Sequence, residues 1–425
     1  MNFAGAGYKW FVMALLFGAA GLNYADRTAI TAVFPLLHRD LGMSDVALGA
    51  TGTVFLWTYA FASPFAGFFG DRLSRARLLT MSLGAWSLVM TLSAFANSAT
   101  HLLLMRALLG LAEAAYIPAA TALIADHHGP DTRAKAIALH LAGFSTGMVG
   151  GGALAGYLGD RFGWRPSFVI LGLFGLALTG VCALFLRDSA ARREAIRQPA
   201  PPMLMLHSIR RLLAIPSFLI LMFEIILSGS VLWIFVNWLP LFFKETFALS
   251  LAMAGLYGTL WMQGGRVVGL LAGGFSSDRV ARLHPRFRML IMSGAYLLAA
   301  PLLIVFAFSN QFLWIASAIC GFAFLVGVGY VNAQPLLCEL VPEDVRSTAV
   351  GLMNMGACFV GGLGVLLAGA LKSTLGLNYA FASLSIIQAG VALMLLIAFL
   401  TILRRDLDRA NAGTIPAEPK AAATR

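Results

Sequence analysis

Arg106 and Glu113 stand seven residues apart in Met105–Ala125, MRALLGLAEAAYIPAATALIA, a stretch otherwise apolar enough to lie in a membrane. Seven residues is about two helical turns, so both side chains leave one face. An ionisable side chain at mid-bilayer costs about 2.5–3.5 kcal/mol on insertion scales. Two on one face, beside Gly110 with no side chain to block a close neighbour, imply a polar interior for that face to look into. A second group lies in the first apolar run, Asn23-Tyr24-Ala25-Asp26-Arg27. Asn23 and Arg27 share a face, and Asp26 lies about 100° round from Arg27. The chemistry on offer is anion capture and proton exchange. A guanidinium is always charged and grips a carboxylate through two parallel hydrogen bonds, so Arg27 and Arg106 are the anion receptors. Asp26 and Glu113 are the proton carriers, because burial favours a protonated carboxyl and a nearby arginine favours the ionised form. With no anion present, the two arginines are expected to pair with the two carboxylates. The competing reading is a static ion pair locking two helices together.

Other residues extend the candidate site. Gln263 and Arg266 fall within a later apolar run, and Arg266 is either a second anion contact or a lock between halves. Tyr24, Tyr59, Tyr116, Trp233, Asn237, Tyr330, Asn332, Gln334 and Asn354 can line a polar cavity, or equally serve in packing and interhelical hydrogen bonds. Glu224 and Glu339 read as gate or capping residues, and His140 as a packed histidine. No G-x4-G-K-[ST] loop is present, so ATP is not the expected energy source. No hydrolytic nucleophile elbow, cofactor motif or Cys/His metal spacing appears either, so neither an enzyme, a cofactor nor a metal is expected. Cys182, Cys320, Cys338 and Cys358 fall in or beside apolar runs and read as small packing residues.

The elements that hold these residues follow from composition. Of 425 residues, 59% are hydrophobic and 12% charged, more apolar surface than a soluble chain can hide. The fold class is therefore all-α and polytopic, with the lipid bilayer as its surroundings. The net charge of +11 is dispersed between apolar runs rather than gathered in a stripe, which argues against nucleic acid. Apolar runs near 10–36, 46–70, 78–97, 105–125, 134–159 and 166–186 form one set of six. Runs near 216–243, 251–275, 289–308, 312–338, 348–371 and 378–403 form another. Residues 1–187 make an N-terminal bundle, 188–215 a linker with six arginines within 187–215, 216–403 a C-terminal bundle, and 404–425 a polar, disordered tail. MLMLHSIRRLL at the linker's end has the pattern of a short amphipathic surface helix. The first run holds Asn23, Asp26 and Arg27 and no small-residue cleavage site, so it reads as a permanent helix. With twelve crossings, loops on the side of the termini carry 22 Lys and Arg against 5 on the other. This places both termini and the linker in the cytoplasm.

The halves repeat. Gly67-Phe-Phe-Gly-Asp71-Arg72-Leu-Ser-Arg75-Ala-Arg77 returns, shortened, as Gly274-Phe-Ser-Ser-Asp278-Arg279-Val-Ala-Arg282, 207 residues later. Asp131-Thr-Arg133 returns as Asp344-Val-Arg346, 213 later. Fainter, Gly156-Tyr-Leu-Gly-Asp160-Arg161 echoes the first loop 89 residues on, the spacing of a three-helix unit nested in each half. Here the sequence resembles the major facilitator superfamily of secondary transporters, whose signature loop has the form G-x3-D-R-x-G-R-R; Ser74 stands where glycine is usual. Asn-Tyr-x-Asp-Arg, Arg-x6-Glu-Ala and Asn237-Trp238-Leu239-Pro240 resemble the anion–cation symporter family within it, and Asn354 shortly before glycine fits that pattern too. The resemblance implies twelve helices in two pseudo-symmetric halves and a monomer in a bacterial-type inner membrane. It also implies import of a small organic anion, such as a sugar acid, with protons by alternating access. Gly67, Asp71, Arg72, Arg75, Gly274, Asp278, Arg279 and Arg282 would serve conformational cycling. Spinster-type lipid carriers share the first two motifs, so a lipid carrier or a drug/proton exporter is the alternative. A non-transporting membrane sensor is the reading from another class.

Overall fold

The computed structural model describes residues 6–70, 73–189, 205–281, 284–342 and 345–412. Every regular element among them is an α-helix. The first half forms α1 (Ala6–Ala32), α2 (Phe34–Leu41), α3 (Asp45–Gly70), α4 (Arg75–Ser93), α5 (Ala99–Glu113), α6 (Tyr116–His127), α7 (Pro130–Phe162) and α8 (Arg165–Phe185). A short α9 (Met205–Leu213) stands where the amphipathic segment is expected. Then come α10 (Pro216–Phe247), α11 (Leu251–Ala281), α12 (Phe287–Phe308), α13 (Phe312–Tyr330), α14 (Ala333–Leu340), α15 (Arg346–Thr401) and α16 (Leu403–Asn411). Paired as α1–α2, α3, α4, α5–α6, α7 and α8, the first half crosses a membrane six times. Crossings α10, α11, α12, α13–α14 and the two arms of α15 supply six more. Among the described residues, eight helical stretches are apolar and long enough on composition alone, the last of them, Thr348–Thr401, holding two crossings.

Proline and glycine explain the breaks. Pro118 cannot donate to the carbonyl of Ala114, and Pro335 cannot donate to that of Val331. The fourth and tenth crossings accordingly break, α5 ending at Glu113 and α13 at Tyr330. Within α15, Gly376 adopts φ 79°, ψ 161°, a conformation open to glycine, and turns the chain back between the eleventh and twelfth crossings.

Contacts divide the chain into two compact units. Unit 1 comprises Met1–Pro201, Trp233–Leu260 and Gly362–Thr374. It thus holds the first six crossings together with one end of α10, of α11 and of α15's first arm. Small residues allow this packing. A Cβ on Gly143, Gly147 or Gly151 of α7 would strike the backbone of Phe17, Gly21 or Ala25 of α1. On neighbouring positions of α7, Gly152 and Gly156 lie equally close to Gly255 and Leu251 of α11. The end of unit 1 away from the arginine-rich loops is closed by polar contacts. Lys372 Nζ lies 2.9 Å from Asp45 Oδ1 and 3.1 Å from Glu245 Oε1. The Trp238 indole N–H donates to Val365 O (3.0 Å), and Thr53 Oγ1 donates to Gly362 O (2.7 Å). Asp160 accepts the backbone N–H groups of Leu251 and Ala252 at 3.0 and 2.9 Å, capping the first turn of α11.

Unit 2 comprises Pro202–Leu232, Trp261–Gly361 and Leu375–Arg425. Its core gathers Phe218 and Leu221 of α10, Met289, Met292 and Tyr296 of α12, Leu336 of α14, and Met353 and Leu395 of α15. Asp406 of α16 accepts from the Ser217 N–H and hydroxyl at 3.0 and 2.8 Å, tying α16 to the start of α10.

The duplication reaches individual side chains. Arg75 Nη1 meets Asp126 Oδ1 at 2.6 Å inside unit 1, and Arg288 Nε lies 3.8 Å from Glu339 Oε1 inside unit 2, each residue 213 from its counterpart. Arg133 donates to the carbonyls of His128 and Ala125, five and eight residues back. Arg346, again 213 on, donates to those of Val341 and Cys338 at the same intervals.

Candidate functional site

The charged residues of α1 and α5 meet in the interior of unit 1. Asn23, Asp26, Arg27, Arg106 and Glu113 are each at most 4% exposed. Arg27 Nη2 lies 2.9 Å and Nε 3.2 Å from Glu113 Oε2, so both nitrogens converge on one oxygen. Asn23 Nδ2 donates to the same oxygen at 2.9 Å, and Asn23 Oδ1 accepts from Arg27 Nη2 at 3.1 Å. The face shared by Asn23 and Arg27 therefore points at the break in the fourth crossing, where Glu113 is the last residue of α5. Four rings surround the Arg27 guanidinium: Tyr24 at 4.7 Å, Phe55 at 4.8 Å, Tyr59 at 5.1 Å and Trp233 of α10 at 5.6 Å. A desolvated guanidinium near aromatic faces gains about 2 kcal/mol. The rings hold the charge where water cannot.

Arg106 is placed differently. Its Nε donates to the backbone carbonyl of Thr51 at 3.2 Å, and its Cζ lies 4.7 Å from the Phe55 ring. Phe55 thus contacts both arginines. Gly110, one turn beyond Arg106, brings α5 against α3: a Cβ there would collide with Thr58 Oγ1 and Phe55 O. Asp26 lies within electrostatic range of Glu113, Arg106 and Arg27, yet its Oδ1 has no hydrogen-bond partner among the described residues. The same is true of Arg106 Nη1 and Glu113 Oε1. The expected double pairing is therefore half realised. Arg27 takes Glu113, while Arg106 spends one donor on a backbone carbonyl and leaves another in the interior without an acceptor. An anion with two oxygens offers what these donors lack, and the unpartnered carboxylate oxygens can take protons.

Asn237 belongs to unit 1, where its Nδ2 donates to Trp233 O at 2.9 Å and a Cβ on Gly52 would strike its amide. Gln263, Arg266 and Asn354 belong to unit 2. Gln263 is buried, Arg266 stacks over Tyr330 at 5.2 Å, and Asn354 is exposed. Tyr330 ends α13 at the break matching the one that Glu113 ends. Of the signature positions, Gly67 lies in the last turn of α3, Arg75 opens α4 and binds Asp126, and Gly274 lies in α11. Asp71, Arg72 and Arg282 lie outside the described residues, as do the side chains of Asp278 and Arg279.

Glu224 lies about two turns inside the N-terminal end of α10; it is fully buried there, and the Tyr296 hydroxyl of α12 donates to its Oε1 at 2.6 Å. Sequence reasoning missed Phe55, whose ring touches both guanidiniums, and Tyr296, which is 72 residues from its partner. Nothing local marks either, though Tyr296 is a polar residue in an apolar run. His140 packs against Phe144 and shares a 2.9 Å hydrogen bond with Tyr116, whose hydroxyl also donates to Leu16 O at 3.0 Å.

Twelve crossings in two repeated halves, with charged residues of α1 and α5 buried in the interior of the first, fit the architecture of a membrane transporter. The sequence profile of the Major Facilitator Superfamily matches residues 16–365, and the chain belongs to that superfamily. It is accordingly a multi-pass membrane transporter and not an enzyme. It is 22% identical over 377 residues to the probable galactarate/D-glucarate transporter GarP of Escherichia coli, covering 82% of this chain and 84% of that protein. It is 26% identical over 381 residues to protein spinster homolog 1 of Xenopus tropicalis, covering 83% of this chain and 70% of that one. Among solved structures, a bacterial homologue of the human lysosomal transporter Spinster, in an inward-facing and unoccupied conformation, superposes with a TM-score of 0.72 at 22% identity. The match covers 96% of this chain and 99% of that one.

Proposed function

We propose that this transporter moves a small organic anion, a sugar acid or similar carboxylate, together with protons by alternating access. The observation that supports this reading is the buried cluster in which Arg27 is committed to Glu113 while Arg106 keeps an unpartnered donor beside Asp26. In this reading the anion docks on Arg106 and competes for Arg27. Glu113 loses part of its compensation in a medium of low dielectric and takes a proton, with Asp26 as the second carrier. The loaded, charge-compensated cluster then meets a lower desolvation cost as the molecule changes state. Arg27 positions Glu113, Asp71 and its signature-loop neighbours set the rate of interconversion, and both termini face the cytoplasm of a bacterial-type cell. Similarity to GarP, a probable galactarate/D-glucarate transporter, supports the substrate class.

A lipid carrier is the second reading, favoured by the similarity to protein spinster homolog 1. A thermal-shift series on purified protein with D-glucarate, galactarate, 4-hydroxybenzoate and a lysophospholipid separates the two. The anion reading expects stabilisation by a carboxylate that is lost in Arg106→Ala. Stabilisation by lysophospholipid alone, retained in Arg106→Ala, would replace it.

A further inference from the structure

Unit 2 buries a carboxyl group that the anion site does not use. Glu224 lies in the apolar core formed by α10, α12 and α15, with 0% of its surface exposed, and Tyr296 is equally buried. Oε1 accepts from the Tyr296 hydroxyl at 2.6 Å, and Oε2 has no partner among the described residues. Among the described residues, no cation contacts this group. On α10 itself Ser228, one turn on, lies beside Tyr296. On α13, Tyr330 interacts with Tyr296, and the nearby guanidinium, Arg266 of α11, stacks on the Tyr330 ring instead. On α15, the bond from Ser293 Oγ to Ala392 O (2.7 Å) sets an antiparallel register that puts Gln388 at about the depth of Tyr296. Gln388 is neutral and fully buried, with neither its amide oxygen nor its nitrogen partnered among the described residues. The absence of a Cβ on Gly329 lets the Tyr296 ring press against α13.

An ionised carboxylate here would have one hydroxyl donor and nothing else to replace its hydration. A metal cation would need a shell of several oxygens, and the tyrosine hydroxyl is already committed as a donor. We propose that Glu224 is a proton-binding site of unit 2, carrying H⁺ on Oε2 while Tyr296 donates to Oε1. The proton neutralises a carboxyl that α10 and α12 enclose between them. Release of that proton then requires α10 to part from α12, so the packing of these two helices and the occupancy of the site are one equilibrium. The same helix runs on into unit 1 as the segment that lays Trp233 over Arg27.

Infrared difference spectra of the reconstituted protein, recorded between acid and alkaline buffer in H₂O and D₂O, test this without any substrate. They therefore stand or fall separately from the anion reading. The wild type should show a protonated-carboxyl C=O band that shifts in D₂O. Glu224→Gln should lose one component of that band, and Tyr296→Phe should move the same component without abolishing it, since only the donated hydrogen bond is removed. Glu113→Gln should leave that component in place. An identical band in wild type and Glu224→Gln overturns the proposal. So does a component that sodium ions remove at constant pH, which would make the site a sodium site.

Discussion

At the scale of single residues, the cluster around Arg27 gives its two arginines different partners, and substitution separates the roles proposed for them. Glu113→Gln keeps the shape of the acceptor on Arg27 and removes its charge. In liposomes with an imposed pH gradient it is expected to abolish accumulation of D-glucarate or another accepted carboxylate while preserving exchange of labelled for unlabelled substrate. Accumulation against a gradient by this variant would show that Glu113 is not the coupling residue. Arg106→Ala should lose both activities and about 2–5 kcal/mol of binding. Arg106→Lys should recover little, because an ammonium reproduces neither the Nε bond to Thr51 O nor the forked donor pair. These four charged residues were legible in the sequence, since ionisable groups in apolar runs are costly enough to advertise themselves. Their division of labour was not. Which arginine pairs with Glu113 depends on the register of α1 against α5 and on the carbonyl of Thr51, a backbone atom that no residue type reveals. Phe55 was hidden for the same reason: a ring near a guanidinium looks like any other apolar residue until the helices are packed.

At the scale of elements, glycine and proline govern where the site falls. The stripe Gly143, Gly147 and Gly151 seats α7 on α1. Gly151→Leu is expected to force α1 away from α7 and destabilise the protein by about 1–3 kcal/mol. Gly150, where a Cβ meets nothing within 4 Å, provides the control. Gly150→Ala should be neutral or stabilising by about 0.5–1 kcal/mol through helix propensity. Thermal unfolding in one detergent reads both. Asp160 was visible only as a faint echo of the signature loop, and its role as the cap of α11 needed the fold. Asp160→Asn replaces a charged cap by a neutral one and Asp160→Ala removes it. Expected losses are below and near about 1 kcal/mol respectively, and equal stability of all three proteins would show that the cap contributes nothing. The helix breaks at Glu113 and Tyr330 follow from Pro118 and Pro335 and were readable in principle. Hydropathy is continuous across both breaks, so apolar runs alone show the fourth and tenth crossings as unbroken.

At the scale of the whole molecule, the sequence reading and the structure meet in the twelve crossings and the duplication. Periodic apolar runs and a repeat offset carry that information without any tertiary contact. Two expectations remain to be measured. Reporter fusions at Ala190–Pro202 should be active only for a reporter that works in the cytoplasm, and activity of a periplasmic reporter would overturn the orientation. Asp71→Asn should slow transport several-fold with little change in substrate affinity, measured as initial uptake rate against concentration; an unchanged turnover would remove the loop from the cycle. The paired contacts Arg75–Asp126 and Arg288–Glu339 have a further consequence. Each joins residues of one repeat and one compact unit only. Under the alternating access proposed above, neither would be broken or made as the repeats move, so they would act as braces and not as latches, keeping each half stiff enough to turn as a piece. Cutting one should soften that half alone and leave the balance between the two orientations where it was.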